Sequence, residues 1–154
     1  MGNIPSWRRN KPDAKTLLAY LPKIDSKGKY KDFPLIRHHL FHRSMKVFIE
    51  QINKECIKGF DLYTDDGIIW CYPFLSILLG DLPEHYAITL TYNSANCKMP
   101  CHICTTSREE FNNPLIDNST IQVRTSKMMN DILENGIAEE YSLYKIKNPF
   151  WELQ

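Results

Sequence analysis

The spacing of hydrophobic and polar positions changes several times along the chain, and each change marks an expected element. From Phe33 onward, Ile36, Leu40, Phe41, Phe48 and Ile52 recur at three- and four-residue spacing, with Ser44 on the same stripe. This is the pattern of an amphipathic helix, expected over 33–58 with its stripe reaching about Cys56. Asp32 stands where an N-cap belongs, Pro34 is tolerated in a first turn, and Gly59 is placed to stop the helix. "FDLYTDDGIIWCYPF", residues 60–74, then reads strand, turn, strand, with Asp65-Asp66-Gly67 supplying hairpin turn chemistry. The run "IIWCYPFLSILLG", residues 68–80, is too continuously apolar for a strand with one wet face. It predicts a buried central strand ending at Asp81, with Pro73 as a break.

Outside this stretch the pattern is weaker. "TLLAYLP", Thr16 to Pro22, has the length of a buried strand, and "KIDSKGKYKD" after it is a basic, turn-rich loop. Pro5 and Pro12 argue against a long helix at the start. A short helix is expected over 84–92, a loop over 107–119, and a helix-rich stretch over 120–145, where Gly136 offers a break. The chain therefore reads as a single α/β domain in five parts: a basic segment (1–32), a helix (33–58), a hairpin with central strand (60–81), a cysteine-containing segment (84–118) and a helical segment (119–154).

Composition narrows the class. A chain of 154 residues, 43% hydrophobic and 24% charged, matches one globular domain with an ordinary core. Its longest apolar run falls short of the roughly 18–20 residues of a membrane span, and no secretory leader pattern precedes it. Neither a membrane nor a secreted protein is expected. The net charge of +1 conceals a split: residues 1–46 hold 11 Lys or Arg against 3 Asp, and the remainder is acidic. A basic N-terminal third suits a phosphate backbone, with Arg8, Arg9, Lys11 and Lys15 as candidate contacts.

The five cysteines are odd in number and lack a secretion signal, which favours a reducing compartment and metal over disulfides. Cys97-x3-Cys101-x2-Cys104 encloses His102. Two thiolates at C-x2-C spacing can grip one tetrahedral zinc, because the turn between them aims both sulfurs inward. Cys97 is the candidate third ligand, and His102, His85 or a more distant residue the fourth; unmetallated thiols are the alternative. A redox C-x-x-C expects a strand before it and a helix after it, which this stretch does not suggest. His38 and His42 share a helical face, but with no acid or cysteine close in sequence they read as core or surface histidines. Asp65 and Asp66 read as turn residues. Asp81 by itself is a turn former before Pro83; at the end of a buried strand it occupies a position where carboxylate sites open to solvent.

In order and spacing these pieces are similar to the transposases of the CACTA and Plavaka (Kyakuja–Dileera–Zisupton) type. The family's apolar strand ending in D-[FYL]-P is matched by "FLSILLG" and Asp81 in "GDLPEH", and its C-x2-C pair by Cys101 and Cys104 in "PCHIC". "GNIPSWRRNKPDAKTLLAYLP" resembles its GN-[IL]-P…R segment, and "NPFW" the stretch before its next block, so the resemblance covers nearly the whole chain. It implies a partial RNase H-like core with an inserted C-x2-C segment and a helical C-terminal part. It also implies cut-and-paste DNA transposition through Mg²⁺ or Mn²⁺, with DNA as partner, no small-molecule substrate, and work in the nucleus. Asp81 becomes the second catalytic acid; the first belongs upstream of Gly2 and the last beyond "NPFW". The expectation is thus an internal fragment, inactive alone, that fits against the remainder of a transposase chain. The competing class is a small zinc-stabilised module binding DNA or protein through its basic third. A Cys–His hydrolase would need an orienting acid and an oxyanion donor that the sequence does not reveal.

Overall fold

The computed structural model describes residues 5–24, 32–75, 77–93 and 96–153. Its longest element is helix α2 (Phe33–Lys58), preceded by the one-turn α1 (Ser6–Arg9). As the stripe predicts, α2 buries one line of side chains, with His42 and Ile49 seven positions apart and almost fully enclosed. Asp32 takes the N-cap position without a side-chain cap bond, and Gly59 ends the helix at φ 70°. A Cβ built on Gly59 would lie 2.7–2.9 Å from the Trp70 indole, so glycine serves here both for its backbone conformation and for a close approach.

The hairpin follows directly. Strands β1 (Phe60–Thr64) and β2 (Gly67–Cys71) pair antiparallel from Phe60↔Cys71 to Thr64↔Gly67 across the expected turn. Phe60, Leu62, Ile69 and Cys71 share one face, while Tyr63, Ile68 and Trp70 share the other. Both faces are mostly apolar, with Asp61 opposite Trp70 on the second, yet both strands are largely exposed.

Several expectations are corrected. The central strand over 74–80 does not form: residues 72–75 and 77–81 run without a ladder, and Phe74, Ile77 and Leu79 stand 76%, 69% and 89% exposed. Strand conformation requires a neighbour to take its backbone hydrogen bonds, and Pro73 has no N–H to offer. "TLLAYLP" is likewise irregular, with Leu17, Leu18 and Tyr20 exposed. The expected α/β class holds among the described residues, which combine helices with one two-stranded antiparallel sheet. The helical segment contains one α-helix, α4 (Ser126–Glu134), rather than a helix-rich run.

Helix α3 (Leu82–Thr89) begins two residues earlier than expected, where Asp81 caps it. The main core lies between α4 and the segment after it, where Met129, Ile132, Ala138 and Leu143 are buried and Tyr141 and Trp151 pack on them. Burying each large member contributes about 1.5–3 kcal/mol. The chain turns out of α4 through Gly136 at φ 72°, with Gly136 N–H donating to Leu133 O (3.1 Å) and Ile137 N–H to Ile132 O (3.2 Å). Residues beyond this turn cross back over α3: Tyr144 N–H donates to Leu90 O (2.9 Å) and Tyr92 N–H to Ser142 O (2.8 Å). A 3₁₀ turn (Pro149–Glu152) packs on α2, and the buried Asn148 amide donates to Ile88 O (2.7 Å). These contacts bring α2, α3 and the cysteine segment together.

Candidate metal and nucleic-acid sites

Asp81 lies at the N-terminus of α3, in extended backbone conformation. Its Oδ1 accepts from Glu84 N–H (2.9 Å), and Glu84 Oε2 accepts from Asp81 N–H (3.0 Å). This reciprocal capping box satisfies two backbone donors and explains why the helix starts at Leu82. The helix dipole also favours a negative charge at this position. Asp81 is exposed and follows the uncovered apolar run directly.

The cysteine motif forms a tight turn. Cys101 Sγ accepts from Ile103 N–H (3.3 Å) and from Cys104 N–H (3.4 Å), so two amides of the turn point at one sulfur. Cys104 Sγ lies 3.2 Å from Thr106 Oγ1. Burial works to raise the Cys104 pKa, but the Thr106 hydroxyl and amide, Cys101 and Arg124 outweigh it and hold the thiol below its ordinary value. Behind the turn, a two-residue antiparallel bridge joins Cys104 to Val123, with Thr105 N–H donating to Gln122 O (3.0 Å) and Arg124 N–H to Ile103 O (2.8 Å).

Arg124 is the residue that sequence reasoning missed. Its Nε lies within hydrogen-bond reach of both Cys101 O (3.0 Å) and Cys104 O (2.9 Å). Its Nη2 donates to Tyr141 O (3.0 Å) and, more weakly, to Met99 O (3.4 Å). Burial lowers its pKa, while Cys101, Cys104 and Cys97 act in the opposite direction.

The proposed ligands are brought together only in part. Cys101 and Cys104 share the turn, whereas Cys97 Sγ lies 3.8 Å from Tyr92 O. The His102 ring stacks on His85 at 5.4 Å and meets Tyr86 edge-on at 5.4 Å. Burial first, then His85 and Arg124, keep the His102 pKa below its ordinary value. Among the described residues no group of three or more His, Cys, Asp or Glu side chains is placed to hold one metal ion.

The basic N-terminal residues are partly committed to local partners. Arg8 Nη2 pairs with Asp13 Oδ2 at 2.7 Å, and Lys11 Nζ sits 5.8 Å from the centre of the Trp7 ring. Lys15 is exposed, and the side chain of Arg9 lies outside the described residues. His38 and His42 do not form a metal pair: His42 is buried on Ala87 O, and the His38 ring meets Tyr144 at 4.4 Å.

Compared with known proteins, residues 1–153 match the family model of the Plavaka transposase. No curated protein and no solved structure matches the chain. The match spans essentially the whole sequence, and the chain belongs to the Plavaka transposase family.

Proposed function

We propose that this Plavaka transposase chain is a section of a DNA-transposing enzyme's catalytic region, with Asp81 as its metal-directed carboxylate and DNA as its partner. The observation that carries the reading is the apolar surface leading into Asp81. Both faces of the β1–β2 hairpin are mostly apolar and largely exposed, and the exposed Phe74, Ile77 and Leu79 lead along the chain to within two residues of the aspartate. Natural domains rarely leave so many apolar side chains bare, and unpaired strand edges invite partners. Further transposase strands laid against this part of the chain would give residues 72–75 and 77–80 a ladder and set Asp81 at a strand end. Phosphoryl transfer by two divalent ions needs several convergent carboxylates, for which Mg²⁺ or Mn²⁺, when bound, supplies charge stabilisation. With one such acid the chain alone does not cut DNA. Action on DNA implies a nuclear location.

A second reading is favoured by the amides directed at Cys101 Sγ: the Cys101–Cys104 turn is a structural zinc clip, completed by Cys97 and His102 after local rearrangement or by ligands from outside the chain. A zinc-stabilised binding module would need the same clip.

DNA-binding anisotropy on a labelled duplex between 50 and 200 mM salt tests the partner. Each phosphate contact contributes about 0.9 to the logarithmic salt slope, so replacing Arg8, Lys11 and Lys15 together with alanine is expected to flatten it by about 2–3. A chain that ignores duplex DNA at low salt, or binds it equally at all salt concentrations, contradicts the reading.

A further inference from the structure

We infer that the cavity between α2 and α3 is a binding site for one unpaired nucleotide of a DNA strand, an inference that rests on the reading of DNA as the partner. The cavity measures about 450 Å³, and its lining includes Arg37, His38 and Phe41 of α2, Tyr86 of α3, and Thr91 and Tyr144. That volume falls within the roughly 300–1,000 Å³ of small-ligand sites. Its walls are mostly apolar and aromatic, and the aromatic side chains are held in place by other contacts. The Tyr86 hydroxyl donates to Pro100 O (2.8 Å), and the Phe41 ring meets His42 edge-on at 5.1 Å. Tyr144 lies against both His38 and Tyr92, with ring centres 4.4 and 4.8 Å apart. Side chains already fixed cost little further ordering when a ligand binds.

The charge of the lining selects an anion. Arg37 and Lys23 are its charged groups, and no carboxylate lines the cavity among the described residues. Arg37 is exposed and has no carboxylate partner among the described residues. Burial first, then Arg37, hold the neighbouring His38 below its ordinary pKa, which keeps its ring an uncharged aromatic surface near neutral pH. Asn93 adds an exposed amide at the rim, able both to donate to a base edge and to accept from it. A flat ring carrying one anionic group answers this lining, with the base against the aromatic side chains and the phosphate on Arg37. Stacking on aromatics and a cationic track for the backbone are the two components of single-strand recognition. Duplex DNA fits poorly, because its bases are already paired and stacked and must be extruded to enter a cavity. Pro83 and Tyr86 carry the wall on α3, the helix that Asp81 caps, so the bound strand and the acid share one element.

The test is fluorescence anisotropy at fixed salt with a short labelled single strand, the same strand in duplex, and an abasic strand of equal length. Wild type, Arg37→Glu and Arg43→Glu are compared; both arginines are exposed on α2, so neither exchange disturbs the core. Wild type is expected to bind the single strand more tightly than the duplex, and about 5–150-fold more tightly than the abasic strand, the range of one base–aromatic contact. Arg37→Glu is expected to weaken single-strand binding about tenfold or more, as for a lost hydrogen bond to a charged group. Arg43→Glu makes the same charge change outside the cavity, and with salt screening it is expected to stay within about twofold of wild type. Deoxyadenosine monophosphate that competes as well as unlabelled strand would assign the cavity to a free nucleotide and overturn the strand. Equal binding of the single, abasic and duplex forms, or equal losses in the two variants, overturns the cavity site and leaves DNA binding standing. Binding of no DNA at all overturns both.

Discussion

The imidazole of His42, 2% exposed, lies 2.8 Å from the backbone carbonyl of Ala87 and ties the long helix α2 to α3. With Nε2 donating to that carbonyl, the ring is neutral and Nδ1 faces the interior without a partner among the described residues. Asn148 lies beside it, but its amide is committed to Ile88 O and to Phe150 N–H. Burial lowers the His42 pKa to about 4, with His38 adding to the effect and the Ala87 carbonyl opposing it. A folded-state pKa below the unfolded value near 6.5 means that stability is fully present above pH 6.5 and is lost as pH falls toward 4. The loss is expected to reach about 3 kcal/mol at the acid limit. Urea unfolding at pH 7 and pH 4.5 measures it. His42→Leu should flatten most of the slope and leave a remainder from His38, whose pKa burial also lowers.

The Asp81–Glu84 capping box separates a structural role from a catalytic one. Asp81→Ala removes the cap and is expected to destabilise the chain by about 1 kcal/mol, whereas Asp81→Asn keeps a capping oxygen and stays within a few tenths. Denaturant midpoints at equal slope provide the check. A large loss in Asp81→Asn would mean that its charge, and not its cap, supports the fold.

On the zinc-clip reading, removing the metal is expected to loosen the segment between α3 and α4. The purified chain should carry one zinc, and a chelator should lower its melting temperature and broaden the signals of residues 97–106. Cys101→Ser or Cys104→Ser should abolish zinc binding, because each removes half of the turn's thiol pair. Metal content by elemental analysis with melting curves decides it.

Gly59→Ala places a methyl group 2.7 Å from Trp70 Nε1 at a backbone φ of 70°. Both effects oppose alanine, and a cost of at least about 1 kcal/mol is expected, with the indole displaced. Tryptophan emission reports the displacement, and thermal unfolding reports the cost.

Local signals made α2 legible: a helical stripe, a proline in the first turn and a glycine at the stop. The hairpin was equally legible, since Asp-Asp-Gly between apolar runs sets both turn and register. The run after it misled for a physical reason. Apolarity predicts burial, but a strand forms only where another backbone lies alongside, and among the described residues none pairs with 72–75 or 77–80. Leu90 was not legible either. It ends α3 at φ 59°, a conformation leucine avoids, and is held there by complete burial and the Tyr144 N–H. The cysteine turn showed in its spacing, while Arg124 reads in sequence as one more polar residue before a helix, and only the returning chain reveals its carbonyl partners.

The most direct test of the central claim is strand cleavage of supercoiled plasmid DNA by the chain in Mg²⁺ or Mn²⁺, with the Asp81→Asn variant alongside. The account predicts that the plasmid stays supercoiled with either protein, because Asp81 without further convergent carboxylates cannot support two-metal transfer. Metal-dependent nicking by the wild-type chain that disappears in Asp81→Asn would contradict it, and would show that this chain assembles a working active site by itself.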